Sequence, residues 1–336
     1  MITTSLTPLR VSFLGGGSDY KEFYERSGRG FVFGATVNLY VYVSIIRNSK
    51  ISGSKFKISY RDLDECDNIS EIKHPVVRSC LQKINWSDGG LHIATMSDVP
   101  AGTGLGSSSS FTVGLLHAIY SLQGNPIVPP QILSEEAIII ERELLEEAGG
   151  VQDQLHAAHG GLAGYVLTAS KKTKLSEISA DKISYLSKSM VLVPIGNPRS
   201  SSSQADKWIE SSRREENFSQ INQMTELAEN AYFDFKKCQD PRIAFEQLTT
   251  AMNIAWEIKN RVLKSKNYQA DLIDNMIIEG LKAGARSGKL CGAGTSGFVL
   301  FLVPPEVRQD FSERMKLRSP KTIAIEERGS WIANLA

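Results

Sequence analysis

The chain has 336 residues, 41% of them hydrophobic, enough for two packed domains with cores of their own. Its 38 Lys and Arg nearly cancel its 37 Asp and Glu, so bulk charge argues against a nucleic-acid or membrane partner. No apolar run approaches the ~18 residues of a membrane span, the start Met1-Ile2-Thr3-Thr4-Ser5 lacks a leader pattern, and Cys66, Cys80, Cys238 and Cys291 form no C-x-x-C pair, so a cytoplasmic protein with reduced thiols is expected.

In chain order, Arg10 to Leu14 reads as a short strand ending in Gly15-Gly16-Gly17. Phe31 to Ile46, rich in Val, Phe, Tyr and Ile, reads as one or two strands. Lys55 to Tyr60 alternates Phe56, Ile58 and Tyr60, the pattern of a half-buried strand. Leu91 to Met96 is expected to be the strand feeding Pro100-Ala101-Gly102-Thr103-Gly104-Leu105-Gly106-Ser107-Ser108-Ser109-Ser110. That glycine- and hydroxyl-rich stretch opens an apolar run from Phe111 to Leu116 that reads as a helix. Glycines remove side chains that would keep an anion off the backbone, and a helix start offers unpaired N–H groups at the positive end of a dipole. The construction suits a phosphate; a glycine turn with a serine N-cap is the plainer alternative. It is no Walker A loop, because Ser107-Ser108 stands where Lys-Ser/Thr should follow Gly106. Nor is it a dinucleotide fingerprint: the spacing is G-x-G-x-G, and Leu122 to Leu133 contains no acid.

Ile132 to Glu147 is predicted to be a helix, closed by Gly149-Gly150. Ala137, Ile138, Leu144 and Leu145 share one face of it, and Glu141 lies within that apolar stripe. A carboxylate buried there needs a cation or a metal, and both remain open. Asp153, in Gly150-Val151-Gln152-Asp153-Gln154, falls near the start of a short helical run from Leu155 to Ala158, where a carboxylate also serves as a cap. His156 and His159 share a face, but no third strong ligand at a defined spacing makes a metal site of them with Asp153. Leu162 to Thr168 and Ser189 to Ile195 are further strands. From Ser200 the character turns helical: Gln204 to Glu216, Phe218 to Lys237, Pro241 to Leu263 and Asp271 to Ala285. A glycine-punctuated strand, Leu290 to Val303, follows. The stretch Lys289-Leu290-Cys291-Gly292-Ala293-Gly294-Thr295-Ser296-Gly297-Phe298 is by itself a tight turn, and beside a phosphate loop a second loop able to reach the same ligand.

Three of these segments, in order, resemble motifs of the GHMP kinases, the superfamily of galactokinase, homoserine kinase and mevalonate kinase. Thr7-Pro8-Leu9-Arg10-Val11-Ser12-Phe13-Leu14-Gly15-Gly16-Gly17-Ser18-Asp19-Tyr20 resembles the sugar motif, residues 100–110 the ATP loop and residues 289–298 the C-terminal glycine motif. Within the superfamily, the triple glycine and the block from Gly150 through Gln154 to Gly160-Gly161 look most like the D-glycero-D-manno-heptose 7-phosphate kinases. Those enzymes phosphorylate the anomeric oxygen of the sugar phosphate for GDP-heptose and surface polysaccharide synthesis. In galactokinases the segment matching Gly15 to Tyr20 reads Gly-Glu-His-Thr-Asp-Tyr. Glycine in place of the Glu and His removes an acid from the C6 end of the sugar, opens volume for a longer anionic tail and frees backbone N–H groups.

The resemblance implies an α+β GHMP kinase fold: an N-terminal domain like ribosomal protein S5 domain 2 over residues 1–185 and a C-terminal ferredoxin-like domain with extra helices over 186–336. It implies ATP and Mg²⁺, with ATP and a sugar or sugar phosphate meeting in the cleft between the domains. By the same resemblance Asp153 is the catalytic base, and Arg10 holds it ionised and offsets charge on the transferring phosphoryl group. Ser108 and Glu141 are the Mg²⁺ ligands. Pro100, Gly102, Gly104, Leu105, Gly106, Ser107, Ser108 and Ser109 hold the nucleotide, and Gly16, Gly17, Ser18, Asp19, Gly292 and Gly294 face the sugar. For the terminal phosphate Arg199 is the first candidate, with Lys21 and Lys207 behind it. Thr295-Ser296 departs from the Gly-Ala-Gly-Gly-Gly-Gly usual at the last motif. One rival reading keeps the chemistry and takes an unphosphorylated sugar such as fucose or galactose. Another is a non-catalytic sugar- or nucleotide-binding regulator, against which the full set Arg10, Asp19, Ser108, Glu141 and Asp153 argues.

Overall fold

The computed structural model describes residues 2–48, 53–196, 215–263, 268–292 and 297–334. Its first sheet is built on two long strands, β1 (Ile2–Leu14) and β2 (Gly30–Asn48), paired antiparallel from Ile2↔Ile46 to Leu14↔Phe33. Their register shifts at Pro8/Leu9, where proline offers no N–H to the ladder, and again between Ser12 and Leu14, at the entry to the triple glycine. β1 starts well before Arg10. Thr3-Thr4-Ser5 does not read as a strand, yet the hydroxyls there find partners: Ser5 donates to the Gly114 carbonyl at 2.7 Å.

The helix α1 (Lys21–Ser27) follows the triple glycine. β3 (Phe56–Ser59), β4 (Leu63–Cys66), α2 (Pro75–Lys83) and β5 (Gly90–Ser97) come next, and α3 (Ser107–Leu122) carries the glycine loop at its start. β5 pairs with the second half of β2, whereas β6 (Leu162–Leu167) pairs with its first half and leads to β7 (Lys172–Leu175). The remaining strand of this sheet, β12 (Trp331–Asn334), returns from the far end of the chain to pair with β1, from Thr3↔Asn334 to Leu6↔Trp331. The order is β12-β1-β2-β5-β3-β4, with β6 and β7 branching from β2.

β2 explains its own composition. Its first eight residues are buried throughout, because helices cover both faces, while its second half alternates buried and half-exposed. One face carries Phe33 against Tyr232 of α7 (Glu215–Lys237), ring centroids 5.2 Å apart. On the other, Val32 joins Leu155 of α5 (Gln152–His159) in a buried cluster. After α6 (Ala180–Ser187), a second sheet of order β11-β8-β10-β9 forms from β8 (Met190–Ile195), β9 (Ser287–Leu290), β10 (Gly297–Leu302) and β11 (Lys321–Thr322). The helices α8 (Pro241–Leu263), α9 (Tyr268–Ala283) and α10 (Arg308–Arg314) complete the described chain. The architecture is α+β.

Two elements differ from their sequence reading. Leu290 to Val303 is a hairpin, β9 and β10, folded so that Val299 pairs with Leu290; Gly292 at φ +73 begins the turn. The helix expected over Ile132 to Glu147 is α4 (Pro130–Ile138) followed by a π-helical turn, Ile139–Leu144. The wider turn rotates the residues after it, leaving Leu144 52% exposed although periodicity placed it on the apolar stripe. The helix expected over Gln204 to Glu216 lies almost wholly outside the described residues.

α3 sits directly on β1 because Gly114 has no side chain. A Cβ there would stand 2.6 Å from Thr7 Oγ1 and 3.0 Å from Ser5 Oγ. A helical Gly→Ala change ordinarily gains about 1 kcal/mol from propensity. Here the contact with β1 outweighs it, and Gly114→Ala should lower unfolding free energy by about 1–3 kcal/mol in a denaturant titration; a gain would show that α3 stands off the strand.

Candidate active site

Loops from the two sheets and the helices α7 and α8 enclose a cleft of about 910 Å³. Its floor is the end of β1. Arg10 is 6% exposed, and its guanidinium meets Asp153 in a two-pronged pair, Nε to Oδ1 and Nη2 to Oδ2, both at 2.7 Å. Burial disfavours the Arg10 charge, but Asp153 more than compensates and holds the guanidinium pKa above its ordinary value. Asp153 lies in the first turn of α5 without capping it; its oxygens are committed to Arg10. The remaining Arg10 donor, Nη1, reaches the Gly104 carbonyl, and its main-chain N–H donates to Leu105 O at 3.0 Å. The ion pair and the glycine loop are thus one unit.

That loop is closed from the other side by the C-terminal glycine motif. A Cβ at Gly104, where φ is +79, would stand 2.2 Å from the Cys291 carbonyl oxygen, and one at Gly292 would stand 2.7 Å from Gly104 Cα. Gly106 precedes α3 and lies under the ion pair, 3.2 Å from both Arg10 Cγ and Asp153 Oδ2 measured from where its Cβ would be. Gly102, Gly104, Gly106, Ser107, Ser108 and Ser109 all line the cleft. Pro100 and Leu105, also expected at the nucleotide, do not: Leu105 is fully buried beneath the loop, and the Pro100 carbonyl accepts from the Thr103 hydroxyl at 3.0 Å.

Glu141 is 1% exposed, at the π-helical turn. Its Oε2 accepts from Ser109 Oγ at 2.8 Å, from Gln154 Nε2 and, at 3.4 Å, from Arg142 Nη2. Its Oε1 is buried with no partner, and burial pushes the carboxyl pKa up. A buried carboxylate with one orphaned oxygen, beside serine hydroxyls at a helix start, fits a hard divalent cation. The hydroxyl in contact with Glu141 is that of Ser109; Ser108, expected in that role, is exposed in the cleft wall one residue earlier. Among the described residues no group of three or more His, Cys, Asp and Glu could hold a metal. His156 and His159 therefore make no such site with Asp153; His156 is fully buried with its ring against Tyr165.

The sugar-motif residues divide. Gly16, Gly17 and Asp19 line the cleft. Asp19 is 1% exposed, its pKa raised by burial against the pull of main-chain N–H groups, Gly17 N at 2.9 Å and Gln152 N at 3.3 Å. It ties the glycine turn to the start of α5, and a Cβ at Gly150 would collide with it at 1.8 Å. Ser18 is a correction. It is fully buried outside the cleft, and its hydroxyl bonds the Gly15 and Phe31 carbonyls at 2.8 Å, anchoring the turn to β2. Gly292 lines the cleft, while Gly294, Arg199 and Lys207 lie outside the described residues. Lys21 is exposed on α1, away from the cleft wall.

Sequence reasoning missed several polar residues of this wall, Ser12, Gln152, Lys259 and Lys289 among them. Ser12 shares a strand face with Arg10 at the two-residue period, a legible signal. Gln152 sits beside Asp153. Ser12 Oγ and Gln152 Oε1 are buried without a partner in the cleft wall, and both residues come within 3.8 Å of where a Gly16 Cβ would be. Lys289 donates to the Phe13 carbonyl at 3.0 Å, and Lys259 of α8 to the Gly292 carbonyl at 3.1 Å. Lys289 opened the glycine motif in sequence; nothing in sequence marked Lys259.

Comparison with known proteins is consistent with this geometry. Residues 72–161 match the family profile of the GHMP kinases N terminal domain. The chain is 26% identical to the D-glycero-alpha-D-manno-heptose 7-phosphate kinase of Campylobacter jejuni over 92% of each chain. It is 23% identical to the bifunctional fucokinase/GDP-fucose pyrophosphorylase of Arabidopsis thaliana, over 91% of this chain and 31% of that protein. Among solved structures, the D-glycero-D-manno-heptose 1-phosphate kinase from Bacteroides thetaiotaomicron superposes over 100% of both chains with a TM-score of 0.77 at 21% identity, a likeness of fold.

Glu141→Gln tests the cation site. Neutralising a buried carboxylate removes its desolvation cost, so unfolding free energy should stay within about 1 kcal/mol of wild type. Affinity for MgADP should fall by about tenfold or more in calorimetric titration, because a carboxamide is a poor Mg²⁺ ligand. Unchanged Mg²⁺ dependence would remove Glu141 from the site.

Proposed function

We propose that this chain, which contains a GHMP kinase N-terminal domain within the GHMP kinase fold, transfers the γ-phosphoryl group of ATP to the anomeric hydroxyl of D-glycero-D-manno-heptose 7-phosphate, giving the 1,7-bisphosphate. The family match and the whole-length similarity to a heptose phosphate kinase support a sugar kinase, and GHMP kinases use ATP, generally with Mg²⁺. The observation that carries the reaction is the Arg10–Asp153 pair seated against Gly106 at the start of α3. A half-buried carboxylate and a buried guanidinium are thereby held where a phosphate loop, a helix N-terminus and an open sugar pocket converge.

The glycine loop binds the triphosphate through the N–H groups of the first turn of α3, which have no intrahelical acceptors. Asp153, oriented by its two bonds from Arg10, accepts the proton of the C1 hydroxyl as that oxygen attacks phosphorus in line. An anomeric hydroxyl is more acidic than an ordinary sugar alcohol, which eases its deprotonation by a carboxylate. Arg10 stays cationic and offsets charge on the transferring group. Glu141, with the hydroxyls of Ser108 and Ser109, would hold Mg²⁺, which draws charge off the phosphate oxygens. The protein's main contribution is position and electrostatics rather than covalent chemistry.

Ser12, Gln152 and Asp19 line the acceptor side, and the unpartnered Ser12 Oγ and Gln152 Oε1 suit sugar hydroxyls. The bare backbone of Gly16 leaves room for a seven-carbon substrate. We assign residues 1–185 to the nucleotide- and sugar-binding unit and 186–336 to the unit that closes over it, with β12 returning to the first sheet, and place the enzyme in the cytoplasm. No helix among the described residues is long and apolar enough to cross a membrane. Similarity to the Arabidopsis fucokinase keeps a neutral-sugar kinase as the second reading.

ADP release measured with MgATP and heptose 7-phosphate, heptose, fucose, galactose and mannose decides between them. A strong preference for heptose 7-phosphate is expected; turnover of a neutral hexose instead would discard that substrate and keep the kinase. Asp153→Asn should lower kcat by about 10²–10⁴-fold, the usual worth of general-base catalysis, with ATP affinity changed only severalfold. Full turnover by that variant would exclude Asp153 as the base.

A further inference from the structure

The charges around the cleft do not all cancel locally. Arg10 is matched by Asp153, and Arg142 reaches Glu141. Lys259 on α8 and Lys289 on β9 also line the cleft, and among the described residues neither has a carboxylate partner. Each ammonium donates to one main-chain carbonyl, Gly292 O for Lys259 and Phe13 O for Lys289. Two of the three donors on each remain. Two unpaired ammonium groups in one half-buried wall are costly unless an anion joins them.

We propose that Lys259 and Lys289 form an anion subsite that takes the phosphate carried by the sugar substrate. This deepens the heptose 7-phosphate reading and rests on it. The position of Lys289 favours the acceptor's phosphate over the nucleotide's. Its carbonyl partner, Phe13, lies three residues beyond Arg10 on β1, about 10 Å along a strand at ~3.3 Å per residue. Arg10 N–H is bonded to the phosphate loop at Leu105, whereas Phe13 leads into Leu14 and the glycine turn. Lys289 therefore stands roughly a sugar's length from the reacting centre, on the side where Gly16 presents no side chain. Lys259 joins it from α8, across Gly292.

The electrostatics agree with a missing anion. Burial lowers the Lys289 pKa to about 7, helped by repulsion from Lys259, and lowers that of Lys259 to about 8. A bound dianion would restore both charges. Cys291 interacts electrostatically with Arg10 and both lysines but cannot supply that charge, because burial pushes its thiol pKa up.

The γ-phosphate of ATP offers the same chemistry, because Gly292 leans on Gly104 of the phosphate loop. Steady-state kinetics of wild type, Lys259→Gln, Lys289→Gln and the charge-keeping Lys259→Arg and Lys289→Arg, with heptose 7-phosphate, unphosphorylated heptose and ATP varied in turn, separate the sources. The Gln variants should raise KM for heptose 7-phosphate by about 10–100-fold, the range for a lost hydrogen bond to a charged group. KM for heptose and for ATP should move less than about twofold, and the Arg variants should keep most of the preference. A rise confined to the ATP KM would assign the lysines to the nucleotide and overturn the proposal, as would equal losses with both sugars. Inorganic phosphate gives a second reading in the unaltered enzyme: competition against heptose 7-phosphate supports the subsite, and competition against ATP alone overturns it. The two levels fail differently. A wild-type enzyme that prefers neutral sugars removes the substrate assignment and the subsite with it. A wild type that prefers the phosphorylated sugar, with Gln variants that keep the preference, removes the subsite alone.

Discussion

The pair of Arg10, buried, and Asp153, half-buried at the cleft, is the contact on which the site depends. It joins β1 of the first sheet to α5, and through the Gly104 carbonyl it fixes the glycine loop as well. Its burial sets the stakes. Removing Asp153 altogether would leave the Arg10 charge largely buried and unpaired, a cost that an isosteric Asn, still able to accept hydrogen bonds, reduces. The same partial burial makes it useful: an ion pair held by two bonds in a cleft keeps its geometry and more of its field than a surface pair would. A single side chain thus reports the position of the base, the nucleotide loop and the strand that leads to the sugar.

Backbone proximity is the second constraint. Gly104 and Gly292 come from segments nearly two hundred residues apart, yet each occupies space that the other's side chain would need. Glycines in such contact leave main-chain groups rather than side chains along that part of the cleft, which suits a polyanion. Serine hydroxyls at the head of α3 then meet Glu141, whose wide π-helical turn sets the carboxylate beside Ser109. A distortion of this kind is costly in an ordinary helix and recurs at functional sites.

Polar groups without partners mark where the molecule expects a ligand. Glu141 Oε1, Ser12 Oγ and Gln152 Oε1 are buried and unsatisfied in one cleft. Such groups each cost on the order of 1–3 kcal/mol, so three in one cavity point to a substrate and a cation that satisfy them. The unmatched lysines extend the same logic from hydrogen bonds to charge. Lys259 and Lys289 bring two such cations to the wall formed by α8 and β9.

Much of this was legible in the sequence because it is written in local residue types. Glycine clusters at 15–17 and 102–106, a serine run opening a helix, and a carboxylate on an apolar stripe all carry their physics within a few residues, as do the long strand β2 and the helix α8. What tertiary structure decided is every matter that depends on which side chain another segment leaves room for. The sequence alone could not separate a capping Asp153 from a paired one, since that depends on Arg10 arriving from a strand 143 residues away. Nor could it show that Ser18 turns inward to β2, that Ser109 rather than Ser108 meets Glu141, or that Lys259 and Lys289 share a wall. Local patterns determine elements and mark chemistry, because they depend on period and backbone freedom. Pairing between distant residues is settled only by packing, because adjacent serines or lysines differ by nothing except the direction in which the folded chain points them.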